Sequence, residues 1–229
     1  ANSFLAEQGQ AYLRGAEGLA SVALLADYDQ QDAANPRDDL QEVWAQPSAP
    51  YPLEEGGWLR GELEDLQGRF NLNWLTQQPA GCPPVKRFRA GQAQFIRLLL
   101  ALDEPQLDEQ EAVAVTQAVT DWLDSDGYIT GTSGAEDDDY ASREFDYLAA
   151  NHYLASVSEL RLIEHFTPAI ILALKPYVCV IPQSSDHKIN INTINSEQAE
   201  LLQALLNSSL DEAQQILSAR EEEGFENIE

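Results

Sequence analysis

Apolar positions recur at three- and four-residue steps through the start of the chain: Leu5, Tyr12, Ala16, Leu19, Ala23 and Ala26. That period predicts a helix over residues 2–26, and its stripe of small residues predicts close packing against a neighbour. The period is lost at Asp27. From there to Pro52 the chain is polar and broken by Pro36, Pro47, Pro50 and Pro52, which reads as loop, with Val43 and Trp44 anchoring one short helical turn. Between Gly56 and Asn73 the alternation shortens to two residues, with Trp58, Arg60, Glu62 and Glu64 opposed to Leu59, Gly61, Leu63 and Asp65. Phe70 and Leu72 then alternate with Asn71 and Asn73, which predicts two short antiparallel strands about a turn at Gln67–Gly68.

After a turn-rich linker over 75–84 the three- to four-residue period returns. Phe95, Leu98, Leu99 and Leu102 mark one helix, and Ala112, Val115, Val119 and Trp122 mark a second. Ser156 and Glu159 form the S-x-x-E capping box of a third, while Thr167 and Pro168 supply an N-cap and an N1 proline for a fourth that Pro176 ends. YVCVIP (177–182) and KININ (188–192) read as short β-like runs. Beyond Thr193, Leu201, Leu202, Leu205 and Leu206 lie on one helix and Ala213, Ile216, Leu217 and Arg220 on the next. Joined by Asn207-Ser208-Ser209, they predict a helix-hairpin-helix shape.

The second helix of this series runs into DWLDSDGYITGTSGAEDDDY (121–140), which holds Asp121, Asp124, Asp126, Glu136, Asp137, Asp138 and Asp139 and no Lys or Arg. Seven like charges in one loop repel unless a cation offsets them. Asp124 and Asp126 have the D-x-D spacing that lets two carboxylates converge, and Glu136 and Asp137 return after a flexible loop. Carboxylates, hydroxyls and loop carbonyls are the oxygen ligands of calcium. One ion, or two given the charge, is the expectation, against a plain solvated acidic loop. The register is not that of an EF-hand: with Asp124 as position 1, Tyr128 falls at 5 and Ala135 at 12.

Charge narrows the function classes. The chain has 229 residues, a net charge of −26 and 44% hydrophobic residues with four Trp, so it can bury a core while repelling phosphates and anionic lipid. The helix-hairpin-helix ending suggests nucleic-acid binding as the alternative function. Against it, residues 189–229 carry nine acids and Arg220 alone, and phosphate affinity needs several Lys or Arg. His152, His165 and His187 are scattered, and neither a zinc motif, a nucleophile elbow nor a P-loop occurs. An enzyme is not expected. No apolar run reaches the roughly 18 to 20 residues of a membrane helix. Cys82 and Cys179 are either two buried thiols or one disulfide.

Five strings in order carry a resemblance: GQAYLRGAEGLA, ELEDLQGRFNLNWL, DWLDSDGYITGTSGAEDDDY, VSELRLI and KININT. Together they resemble the K-type minor pseudopilin family of the type II secretion system, general secretion pathway protein K. The resemblance implies an α+β, pilin-like fold: a long N-terminal helix on a small antiparallel sheet, with a large all-α insertion ending in the helix-hairpin-helix-like unit. It implies a pilin-like part over 1–73, the insertion with its calcium loop over 74–176, and short strands with the paired helices over 177–229, truncated before further C-terminal strands. It also implies metal ligands at Asp121, Asp124, Asp126, Glu136 and Asp137. The implied function is structural: capping the pseudopilus tip in a heterotrimer with the I-type and J-type minor pseudopilins, without nucleic acid. The expected location is the periplasmic face of the bacterial inner membrane. Membrane attachment would run only through an N-terminal helix absent from this chain, which reads as an excised fragment. Periplasmic exposure makes a Cys82–Cys179 disulfide plausible.

Overall fold

Twenty-nine residues, Asn2–Gln30, form one uninterrupted helix, α1. It extends four residues past the expected end because Asp27, Tyr28 and Asp29 are compatible with a helix though they do not continue the apolar stripe. The computed structural model describes residues 2–30, 37–53, 56–76 and 87–225. These fall into two compact units, 1–65 with 223–229, and 66–222. Residues 66–73, read from sequence as part of the N-terminal region, thus lie in the second unit.

In the first unit α1 contacts a 3-10 turn at Val43–Ala45, the turn expected at Trp44. Strands β1 (Tyr51–Pro52) and β2 (Trp58–Leu59) form an antiparallel ribbon, with Tyr51 opposite Leu59 and Pro52 opposite Trp58. No described side chain of α1 is buried: Ala16 and Ala20 are half-buried, while Leu13, Leu19, Val22 and Leu25 stand exposed.

The strand pairing differs from expectation. Gln67–Gly68 is not a hairpin apex but part of a 3-10 turn, Leu66–Gly68, pressed against Thr193, whose carbonyl oxygen would lie 2.6 Å from a Cβ on Gly68. Strand β3 (Phe70–Asn71) pairs in parallel with β4 (Val178–Cys179), Phe70 opposite Val178. The alternation at 70–73 misled because Phe70, Asn71, Leu72, Asn73, Trp74 and Leu75 are all buried, the polar positions included. Both asparagines are interior staples. Asn73 donates to the carbonyls of Leu154 and Ile181 at 3.1 and 3.0 Å and accepts from the Leu154 N–H at 2.9 Å. Asn71 donates to the carbonyls of Ser184 and Asp186. KININ is likewise no strand: Asn190 Oδ1 accepts from the Asn192 N–H, and buried Arg220 donates to the carbonyls of Ile191 and Ile194.

Around this centre pack helices α2 (Ala90–Leu100) and α3 (Glu109–Leu123). Phe95 stacks on Phe70 with centroids 5.7 Å apart, and the Gln92 amide donates to the Thr120 hydroxyl at 3.1 Å. Asp108 caps α3, its carboxylate accepting from the Glu111 N–H, while Glu111 accepts from the Asp108 N–H. The capping box at Ser156 is present but opens a 3-10 turn, Val157–Leu162, in place of the expected α-helix. Helix α4 (Asp137–Ala141) closes the acidic stretch, and α5 (Pro168–Leu174) starts at Thr167 as its sequence requires. Helices α6 (Ala199–Leu206) and α7 (Leu210–Glu223) form the expected hairpin, with Asn207 at φ +56° supplying the left-handed C-cap.

Candidate metal centre

The acidic stretch is held on two limbs. Helix α3 ends at Leu123 because Asp124 turns extended at φ −81°, ψ 170°, which throws Asp124 and Asp126 off its C-terminus. The second limb is Glu136, the residue before α4, where the Glu136 N–H donates to Asp139 Oδ2 at 3.0 Å. One carboxylate oxygen each from Asp124, Asp126 and Glu136 lies within 4.8 Å of the others. Oxygens on opposite sides of a calcium ion stand about 4.6 to 5.2 Å apart, twice the Ca–O distance, so that spacing suits a single ion.

Two of the three carboxylates have oxygens without partners, whereas Asp126 Oδ1 accepts from the Tyr128 N–H at 2.9 Å. Both Glu136 oxygens and Asp124 Oδ1 are buried without a hydrogen bond, and Glu136 is only 6% exposed. A buried unpaired carboxylate is costly in its charged form. Burial, reinforced by Asp121, Asp124, Asp126 and Asp137, pushes the Glu136 carboxyl up to about 7. Burial, with Asp126 and Asp121 adding repulsion, pushes Asp124 up to about 6. Three converging carboxylates, two of them with orphaned buried oxygens, fit a hard divalent cation, whose charge would offset both penalties. Asp126, exposed, leaves one side open to water ligands.

The other two acids put forward from sequence are near but engaged elsewhere. Asp121, fully buried, takes the Thr130 N–H on both oxygens at 3.0 and 3.1 Å, and burial raises its pKa while those bonds lower it. Asp137 Oδ1 accepts from the Ala149 N–H at 3.0 Å. Both tie the loop down and add negative field at Glu136. Sequence reasoning did not find the remaining supports. Gln117 Oε1 accepts from the Ser133 N–H, and His165 Nε2 lies 3.1 Å from the Ser133 carbonyl. Gly134 is required where it stands, since a Cβ there would come 2.0 Å from Asp121 Oδ2. Gln117 is the position a closer reading could have caught: it stands one helical turn before Asp121, off the apolar stripe of α3, and is buried toward the acidic loop.

Cys179 is buried, its Sγ 3.4 Å from the Leu66 carbonyl oxygen; Cys82 lies outside the described residues, and so does their pairing. No helix among the described residues is long and apolar enough to cross a membrane. The first turn of α7 presents Asp211 and Glu212, with no cation there to meet a phosphate.

A long N-terminal helix, a two-stranded antiparallel ribbon and a large helical body ending in paired helices make a pilin-like α+β protein. The chain belongs to the family described as "Type II secretion system (T2SS), protein K", which it matches over residues 68–183 and 189–229. It is 35% identical to the type II secretion system protein K of Aeromonas hydrophila, over 93% of this chain and 64% of that protein. It is 36% identical to the protein of the same description in Pseudomonas aeruginosa, over 99% and 64%. With that of Dickeya chrysanthemi the identity is 37%, over 96% and 68%. The chain therefore spans about two thirds of the length of these relatives. Its fold resembles a chain in the crystal structure of the GspK-GspI-GspJ complex from the enterotoxigenic Escherichia coli Type 2 Secretion System. The TM-score is 0.78 at 29% identity, covering 90% of this chain and 69% of that one.

Proposed function

We propose that this chain is the K-type minor pseudopilin of a type II secretion system, a structural and non-catalytic subunit that caps the pseudopilus tip with I-type and J-type partners. Its work is protein secretion across the outer membrane from the periplasmic face of the inner membrane, where an N-terminal helix would anchor the full-length protein. The observation that carries the reading is the likeness, at a TM-score of 0.78 over 90% of the chain, to a protein solved in a GspK-GspI-GspJ complex. Helix α1 supports it: Leu13, Leu19, Val22 and Leu25 are each more than half exposed, apolar surface of the kind that helix-to-helix assembly covers.

Calcium belongs to the same reading. Asp124, Asp126 and Glu136 would hold it, with the open side completed by water or loop carbonyls. The ion would supply the positive charge that this stretch lacks, and so keep the loop between α3 and α4 folded. Magnesium fits less well, because it demands a tight octahedron that crowded, loosely spaced carboxylates do not offer. The test is complementation of a strain lacking the subunit: Asp124→Ala with Asp126→Ala should abolish secretion, and Asp138→Ala should not. Full secretion by the double variant would overturn the role given to the site.

A further inference from the structure

Helix α4 is five residues long, too short to hold its own geometry in water. The direction of Glu136, which precedes it, is therefore set by what anchors the helix. The anchor is Tyr140, fully buried one turn on, whose ring meets the Trp122 ring edge-on at 5.2 Å and 81°. Trp122 stands in the last turn of α3, two residues before Asp124. The two limbs of the metal centre thus meet in one aromatic contact.

A third group braces that contact from outside. The Arg143 guanidinium lies 4.8 Å from the centroid of the Tyr140 ring and 5.3 Å from that of Tyr147, the two rings being stacked at 5.4 Å. It also pairs with Glu164 and bonds the Tyr147 hydroxyl. Tyr147 in turn donates to the Leu162 carbonyl at 2.7 Å, and the Glu164 N–H donates to the Tyr140 hydroxyl at 3.3 Å. Arg143 is the only base between Asp121 and Asp146. A guanidinium beside two aromatic rings that also hydrogen-bonds and pairs with a carboxylate uses several of its N–H donors at once, which an ammonium group does not reproduce in the same geometry.

We propose that Arg143 is a positioning residue for the cation site: laid across Tyr140 and Tyr147 and tied to Glu164, it fixes the short helix that presents Glu136 to Asp124 and Asp126. The inference rests on the metal reading above and deepens it, since it links calcium affinity to a group that touches no ligand. It also makes the segment 142–166 the part of the fold that registers whether the ion is bound.

Calcium is titrated calorimetrically into the 229-residue chain, as wild type and as Arg143→Met, Arg143→Lys and Glu164→Gln. Leu205→Ala, in α6, serves as a control that loosens the same unit without touching the brace. Removing a group bonded directly to a metal ligand costs about tenfold to a hundredfold in affinity; Arg143 acts one contact further out, so Arg143→Met should raise the Kd by the lower end of that range, roughly tenfold. Arg143→Lys and Glu164→Gln should raise it less, and Leu205→Ala should lower the melting temperature with the Kd unchanged. Hydrogen exchange adds a second readout: calcium-dependent protection of the amides from 137 to 150 should be lost in Arg143→Met and kept in Leu205→Ala. If Arg143→Met fails to fold, Arg143→Lys and Glu164→Gln decide alone. Wild-type Kd values in the folded Arg143 and Glu164 variants, whatever their melting temperatures, would overturn the proposal. A wild-type chain that takes up no calcium would overturn the metal reading itself, a separate result.

Discussion

Replacing Glu136 by Gln should have opposite effects with and without calcium. In chelator the wild-type carboxylate is buried, unpartnered and surrounded by Asp121, Asp124, Asp126 and Asp137. The amide removes that charge at nearly the same volume. Discounted for solvent screening, the relief is on the order of 1 kcal/mol, or about 2 to 4 °C in melting temperature for a chain of this size. With calcium the sign reverses. An ion bound only by the folded state adds about 2.7 kcal/mol at a free concentration a hundred times its Kd, which for the wild type is about 5 to 11 °C. Gln offers one neutral oxygen where Glu offers two charged ones, so most of that rise should vanish. The assay is a thermal melt at pH 7.5 of both proteins in chelator, in calcium and in magnesium. Wild-type midpoints equal in all three would remove the metal. A Gln variant that melts below wild type in chelator, or keeps the full calcium rise, would refute the placing of Glu136 in the site.

The same carboxyls give a pH dependence: Glu136, raised from 4.5 to about 7, and Asp124, raised from 3.8 to about 6, hold extra protons in the folded, metal-free state. Stability in chelator should therefore fall as pH rises from about 4 to about 7 and then level. Calcium competes with those protons, so its stabilising increment should grow from pH 5 to pH 8; equal increments at both would count against the site. Gly134→Ala places a methyl 2.0 Å from Asp121 Oδ2 and should cost about 1 to 3 kcal/mol, read by urea melt with a weakened calcium response. Asn73→Ala strands the Leu154 N–H and two carbonyls in the core, a loss of about 2 to 4 kcal/mol; a change below about 0.5 kcal/mol would show that the staple is not needed.

Helix periods and caps were legible because they are local. The stripe Ala112, Val115, Val119, Trp122 is α3, Thr167 caps α5, and Asn207 ends α6. Strand partners were not legible, since two-residue strands carry too little pattern to show that Phe70 meets Val178 from a hundred positions away. The burial of Asn71 and Asn73 follows from carbonyls supplied by 154–186, which no local window contains. At the proposed metal site, charge density and the D-x-D spacing marked the stretch, and one carboxylate oxygen each of Asp124, Asp126 and Glu136 lies within 4.8 Å of the others. Which acids point inward was decided by Thr130 and Ala149, whose backbone N–H groups engage Asp121 and Asp137.

The central claim is assembly, and its most direct measurement is sedimentation of the chain with purified I-type and J-type minor pseudopilins of the same organism. A single species at the mass of one copy of each is the expected result, with the chain alone remaining monomeric. Three separately sedimenting components at micromolar concentrations, or self-association of the chain that the partners do not displace, would contradict the account.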